Sequence, residues 1–133
     1  KDPAIKHLAI ANPETAPYGA AALEVLNKLQ VKDAFNGRTV FGENIAQTLQ
    51  FVESGGAEAG LVAYAQVNKH EARTYWPVPD ELHAPILQDA CLLRAGEKNP
   101  AARAFIEFLK SNEARKIIQS FGYALDAPQD AKR

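Results

Sequence analysis

Cysteine is almost absent from this sequence: Cys91 is the one cysteine among 133 residues. A single cysteine excludes an internal disulfide and a zinc site built from several cysteines. Cys91 lies in the mostly apolar stretch 86–93, which we interpret as a buried strand. We therefore expect Cys91 to be a small core hydrophobe rather than a catalytic thiol.

An excess of charge of one sign and long apolar runs are also missing. Fifteen basic residues against 16 acidic ones give a net charge of −1. This balance gives no electrostatic reason to expect nucleic acid or an acidic membrane surface as a partner. No apolar run approaches the roughly 20 residues that would span a bilayer. The chain begins without the charged and apolar regions of a signal peptide, as a mature or truncated chain also would.

The common catalytic motifs are absent as well. The sequence has no HExxH, no P-loop, no GxSxG and no GxGxxG. The histidines have no ligand-like spacing, and we interpret them as surface or strand-edge residues: His7, His70 and His83. Glu14, Glu43 and Glu58 lie near predicted loop ends, so a carboxylate pair remains open. A small enzyme that uses Glu14 or Glu43 as acid or base is therefore kept as an alternative.

The first half of the chain alternates between two kinds of hydrophobic pattern. Short apolar runs predict strands, and apolar residues at helical spacing predict helices. The order is strand 7–11, a helix from about Tyr18, strand 38–41, a helix from Ile45 to Glu53 with Asn44 as its N-cap, and strand 57–64. This β-α-β-α-β order predicts an α/β fold with a mainly parallel sheet flanked by helices.

The second half is less regular. Prolines punctuate residues 77–85, and residues 86–93 are interpreted as a further strand region. Asn99 and Pro100 predict an N-cap and the first residue of a helix. Another helix begins near Ser111 and ends at Gly122. The phenylalanines of these two helices are expected in the core: Phe105, Phe108 and Phe121.

Two polar turns each lead from a strand into a helix. The first is 12–17 and the second is 42–44. The first amide N–H groups of a helix have no intrahelical acceptor, and the helix dipole adds partial positive charge there. Gly19 is expected to let a ligand approach the backbone. Since strands of a parallel sheet end at one edge, both helix starts would face one crevice. Neither first turn carries lysine or arginine, which suits a dehydrated oxyanion held by neutral donors.

Six segments resemble the periplasmic molybdate-binding proteins of ABC importers. They match in order and spacing over nearly the whole chain: 11–19 (ANPETAPYG), 42–47 (GENIAQ), 75–79 (YWPVP), 99–105 (NPAARAF), 108–115 (FLKSNEAR) and 121–123 (FGY). The resemblance implies a fold of the type II periplasmic-binding-protein class, with two α/β lobes joined by crossover strands. It implies that the oxyanion, molybdate or tungstate, is held between the lobes by backbone N–H groups and hydroxyls.

The resemblance also implies positions for the ligand. Tyr18 falls where a family member donates at the start of the first helix, and Ile45 where the second helix start donates a backbone N–H. Some members place a tyrosine hydroxyl where this chain has Ala63, with Tyr64 one residue on. A shift of one residue in a strand reverses the facing of the side chain. Tyr18 is therefore an alternative source of a hydroxyl.

The resemblance places this chain in the C-terminal part of such a protein, truncated at the N-terminus. Residues 1–72 would be part of the second lobe, 73–95 the crossover strands, 96–123 the closing helices of the first lobe, and 124–133 a frayed tail. Half of the oxyanion shell is then expected to be absent. The apolar faces of the closing helices would be exposed, so we expect the chain to repack as one compact domain or to form a homodimer by exchanging a segment of about 86–121.

The function implied is that of a substrate-binding component that captures the oxyanion in the periplasm and delivers it to an ABC permease in the membrane. No enzymatic activity, no cofactor, no directly coordinated metal and no nucleic-acid partner are expected. An effector-sensing module of a transcription regulator remains the main alternative, because such regulators use the same two-lobe fold.

Overall fold

The computed structural model describes residues 4–69 and 74–125. Apart from short 3₁₀ turns, four α-helices and three strands form the regular structure of these residues. In chain order they are β1 (Leu8–Ala11), α1 (Pro17–Lys28), β2 (Thr39–Gly42), α2 (Ile45–Glu53), β3 (Ala59–Gly60), α3 (Pro100–Leu109) and α4 (Asn112–Ser120). The predicted β-α-β-α-β order of the first half is confirmed, and α2 has the predicted bounds. None of the helices in the described ranges is long and apolar enough to cross a bilayer.

The three strands form one parallel sheet in the order β2-β1-β3. The central strand β1 is fully buried, which suits its apolar sequence LAIA. Its two faces are covered by different helices. Leu8 and Ile10 pack against α1 through Ala22 and Leu26. On the other face, Gly60 lies beside Ala9 and close to the Val52 side chain of α2.

Helices on both faces of a parallel sheet are the arrangement expected for an α/β lobe. The chain passes from β1 to β2 on one side and then back past β1 to β3, so right-handed crossovers place α1 and α2 on opposite faces. The prediction of a mainly parallel sheet flanked by helices is therefore confirmed.

Two strand predictions need correction. The predicted strand 57–64 pairs only at Ala59–Gly60, followed by a hydrogen bond from the Leu61 N–H to the Ala9 carbonyl (2.9 Å). The stretch 86–93 is not a strand, and Cys91 within it is exposed rather than buried. An apolar run forms a buried strand only where it can pair with a neighbouring strand and pack under a covering layer. In the part of the chain that the structure describes, the stretch 86–93 has neither.

Helices α3 and α4 begin as the sequence predicts. The Asn99 side chain accepts a hydrogen bond from the Ala101 N–H (2.9 Å), and the Ser111 hydroxyl accepts one from the Ala114 N–H (3.2 Å). Pro100 is the first residue of α3. The two helices pack on each other and make few contacts with the sheet.

The expectation that the phenylalanines of these helices lie in the core is wrong. Phe105 is 58% exposed, and Phe108 and Phe121 are about two-fifths exposed. Phe105 and Phe108 stack on each other, with 6.5 Å between ring centroids, without a covering layer. The pattern of the helices is amphipathic, but the surface that would cover their apolar side is not among the described residues.

The end of α4 is joined to the turn that follows β3. Gly122 has a positive φ of 87°, and a Cβ there would collide with the Tyr64 ring. The Asn68 amide donates to the Ser120 carbonyl (3.5 Å), and the Lys69 ammonium lies 3.5 Å from the centroid of the Phe121 ring. These contacts fix the C-terminal helices near the carboxyl edge of the sheet.

The division into 1–72, 73–95, 96–123 and 124–133 stays a prediction. The structure contains no paired strand within 74–95, where crossover strands were predicted. The prediction for His70 and most of the predicted tail fall outside the described residues.

Candidate anion-binding site

The three parallel strands bring their following turns to one edge of the sheet. Ala11 and Gly42 are paired at the ends of β1 and β2, and the Asn12 N–H donates to the Gly42 carbonyl (2.7 Å). The chain leaving β3 passes the same edge, where the Leu61 N–H bonds to Ala9. The starts of α1 and α2 therefore lie at neighbouring positions, as the sequence predicts.

The start of α1 presents one backbone donor without an intrahelical acceptor. The N-cap residue Ala16 has no side-chain acceptor, and Pro17 has no N–H. The Gly19 and Ala20 N–H groups both donate to the Ala16 carbonyl, at 2.8 and 3.2 Å. The Tyr18 N–H is thus the first-turn donor that the helix itself does not use.

The Tyr18 hydroxyl has different partners. It accepts a hydrogen bond from the Gln88 side-chain amide (3.2 Å). Burial raises the pKa of Tyr18, and the nearby Tyr123 hydroxyl raises it further, so Tyr18 stays protonated at neutral pH. The hydroxyl therefore ties α1 to the C-terminal part of the chain, while the backbone N–H remains at the helix start.

The start of α2 is capped by side chains. The Asn44 side chain accepts a hydrogen bond from the Gln47 N–H (2.9 Å), and the Gln47 side chain accepts one from the Glu43 N–H (2.6 Å). Since the cap uses the third N–H of the helix, those of Ile45 and Ala46 keep no intrahelical acceptor. The predicted donor Ile45 thus lies at a properly capped helix start.

Ala63 lies at the same edge but offers no free donor. It is buried, its side chain is a methyl group, and its N–H donates to the Gln66 side-chain oxygen (3.2 Å). The Gln66 side-chain nitrogen in turn donates to the Ile45 carbonyl (3.3 Å). Two of the predicted residues are therefore joined by Gln66, which no motif or spacing in the sequence indicates.

Tyr64 packs against the end of α4 and against Tyr75. Its ring, 45% exposed, contacts Gly122 and meets the Tyr75 ring edge-on, with 5.7 Å between centroids and 67° between planes. A hydrogen bond between the two side chains raises the pKa of Tyr75. Tyr64 begins a 3₁₀ turn rather than continuing a strand. Its assignment as a ligand residue stays a prediction, without a contact here that links it to Tyr18 or Ile45.

The predicted role of Gly19 needs correction. A Cβ at Gly19 would lie 2.3 Å from the Ala11 carbonyl oxygen. Gly19 therefore allows α1 to pack directly against the end of β1, and the space is filled by backbone rather than open to a ligand. Gly42 has the same function at α2, because its Cβ would lie 2.7 Å from the Thr48 hydroxyl.

Other candidate chemistry does not assemble. Glu14 and Glu43 are exposed, and Glu58 lies at the opposite, amino end of the sheet, where it accepts hydrogen bonds from the Lys6 and His7 N–H groups. Within residues 4–69 and 74–125, no group of three or more His, Cys, Asp or Glu side chains could hold a metal ion. The site consists of neutral backbone donors at two helix starts.

Comparison with known proteins identifies the family. The sequence model of a family described as bacterial extracellular solute-binding protein matches residues 1–124. The chain belongs to this family. Two relatives of similar sequence are named molybdate-binding protein ModA: that of Azotobacter vinelandii is 49% identical over 94% of this chain, and that of Rhodobacter capsulatus is 45% identical over 92%.

A solved structure shares the fold. The periplasmic molybdate-binding protein of Azotobacter vinelandii superposes on 95% of this chain with a TM-score of 0.86 at 31% identity. The match covers 57% of that structure, and the two ModA sequences are covered over 51% and 48% of their length. This chain therefore spans about half the length of the solute-binding proteins it matches.

Proposed function

We propose that this chain is part of the substrate-binding component of an ABC importer, and that its carboxyl edge holds a tetrahedral oxyanion, molybdate or tungstate. The observation that carries the proposal is the pair of helix starts at one sheet edge, with the Tyr18 and Ile45 N–H groups free of intrahelical acceptors. The names of the relatives, molybdate-binding protein ModA, support the choice of anion.

The chemistry of the edge favours a small, dehydrated dianion. Backbone N–H groups and two helix dipoles supply partial positive charge without a titratable cation. Neither first turn carries lysine or arginine. Such a site discriminates anions by the distance between its donors, and molybdate and tungstate are both larger than sulfate.

Transport is favoured over the alternatives. The chain belongs to a solute-binding family, and the relatives named above are binding proteins rather than regulators. Catalysis by Glu14 or Glu43 has no support, because both residues are exposed. The proposal includes a periplasmic location and an ABC permease that accepts the anion, in line with the periplasmic relative.

We also propose that two copies of this chain associate through the exposed apolar side of α3 and α4. Phe105, Phe108, Ile117 and Phe121 are between 39% and 58% exposed. A surface of this kind is uncommon on soluble monomers. Burial of this apolar surface against a second copy would remove these side chains from water.

Titration calorimetry tests the anion proposal. The purified chain is titrated with molybdate, and sulfate serves as the control at the same ionic strength. We expect saturable binding of molybdate that is at least about tenfold tighter than that of sulfate, a difference of about 1.4 kcal/mol. Equal binding of the two anions, or no binding of molybdate up to millimolar concentration, would overturn the proposal.

A further inference from the structure

Gln66 connects two backbone segments at the carboxyl edge of the sheet. Its side-chain oxygen accepts a hydrogen bond from the Ala63 N–H (3.2 Å), and its side-chain nitrogen donates to the Ile45 carbonyl (3.3 Å). Ala63 follows β3 and Ile45 begins α2, so one side chain spans 21 residues of sequence. We propose that Gln66 is the positioning residue of the anion site, which sets the orientation of the α2 start toward the ligand. This inference rests on the proposed function.

The peptide unit that Gln66 holds is a donor unit of the site. The Ile45 carbonyl and the Ala46 N–H belong to the same planar peptide group. A donor on the carbonyl oxygen therefore restrains the direction of the Ala46 N–H further than α2 itself does. It also polarises the peptide group, which makes the N–H a stronger donor. Gln66 thus acts on the anion through the backbone and does not need to touch it.

The second hydrogen bond fixes Gln66 itself. Its oxygen is held by the Ala63 N–H, and Ala63 is 4% exposed on the edge of the buried core. The 3₁₀ turn Tyr64–Gln66 returns the chain toward α2, and the Gln66 N–H donates to the Ala63 carbonyl (2.9 Å), so the side chain starts from a hydrogen-bonded turn. Gln66 thus holds the start of α2 in place relative to the end of β3. This link is separate from the hydrogen bond by which Asn44 caps α2.

The hydrogen bonds of the turn alone would give Gln66 a purely structural role. Two variants separate the roles. Gln66→Glu keeps an acceptor for the Ala63 N–H but loses the donor to Ile45, and Gln66→Met loses both with little change in length. Gln50→Met and Gln50→Glu are the matched controls, the second for the added negative charge, because Gln50 is an exposed glutamine on α2.

The experiment measures molybdate affinity and backbone amide resonances on the full 133-residue chain, at a temperature where every variant is folded. We expect both Gln66 variants to bind molybdate about fivefold or more weakly, because both lose the hydrogen bond to the Ile45 carbonyl. We also expect the Ala46 amide resonance to move in the anion-free variants, with the two Gln50 variants unchanged in both measurements.

The outcomes separate this inference from the proposed function. If the unmodified chain does not bind molybdate, the proposed function fails, while a moved Ala46 resonance would still show that Gln66 orients this peptide. If the unmodified chain binds molybdate and the Gln66 variants bind it equally well, the positioning role is overturned. A loss of affinity in Gln66→Met alone would assign Gln66 to the turn and would also overturn the role.

Discussion

Gly19 is the residue at which the first helix meets the sheet most closely. A Cβ there would lie 2.3 Å from the Ala11 carbonyl oxygen, a backbone atom that cannot rotate away. We predict that Gly19→Ala destabilises the fold by about 1–3 kcal/mol. Gly96→Ala is the control, since its nearest neighbour is the end of the Leu92 side chain at 3.2 Å. Urea unfolding of both variants measures the difference, and equal midpoints would contradict the account.

Glu58 is the residue whose protonation should affect stability. Its carboxylate accepts hydrogen bonds from the His7 N–H (2.7 Å) and the Lys6 N–H (3.0 Å), and the bond from His7 is the main reason why its pKa lies below the ordinary 4.5. A carboxyl with a lowered folded-state pKa stabilises the fold above its ordinary pKa, and this contribution is lost as the pH falls through the folded-state value.

The prediction for Glu58 concerns the acid side only. Between pH 7 and about pH 5 the unmodified chain should melt at a higher temperature than Glu58→Gln, and the difference should shrink as the pH falls below 4.5. Thermal melts at several pH values measure it, with the exposed Glu14→Gln as control. A difference between the unmodified chain and Glu58→Gln that stays constant down to pH 3 would contradict the assigned hydrogen bonds.

At the scale of elements, the start of α2 combines stability with the proposed site. The Asn44 side chain caps the Gln47 N–H at 2.9 Å. We predict that Asn44→Ala costs about 1 kcal/mol and lowers the melting temperature by about 2–4 °C. Asn112→Ala is the matched control, because Asn112 follows the cap Ser111 in the first turn of α4. An unchanged melting temperature for Asn44→Ala would show that the cap does not stabilise α2.

The elements that local signals define were predictable, and those that depend on distant partners were not. Asn44, Asn99 and Pro100 marked helix starts because capping acts within one turn. The stretch 86–93 has the composition of a buried strand, but a strand needs a neighbour, and sequence alone does not provide it. The prediction that Cys91 is buried was wrong for the same reason, because it depended on that strand.

The site shows the same limit. The helix starts near Tyr18 and Ile45 were predicted from strands followed by polar turns, and the structure brings these starts to one edge. The two residues themselves were implied as ligand donors by the family resemblance, and that role stays a prediction. Gln66 was missed, because its partners Ile45 and Ala63 come together only when β3 pairs beside β1. A glutamine soon after a strand carries no local signal of such a bridge.

At the scale of the whole molecule, the apolar side of α3 and α4 should control association. We predict that the double variant Phe105→Asp and Phe108→Asp shifts the chain toward the monomer. It replaces two partly exposed aromatic rings, whose burial between copies would favour the dimer, with charged side chains that disfavour burial. Lys116→Glu is the control, since it lowers the net charge by the same two units at an exposed position of α4. Light scattering over a range of concentrations measures the mass. A monomeric unmodified chain would contradict the proposed pairing.

Binding of molybdate by the two helix starts at the carboxyl edge is the property we propose for this chain. The most direct test follows the backbone amide resonances of the chain during titration with molybdate and, separately, with sulfate. We expect saturable shifts concentrated at Tyr18, Ile45 and Ala46, larger with molybdate, and no shift at His7 on the amino edge of the sheet. Shifts spread over the surface, or equal shifts with both anions, would contradict it.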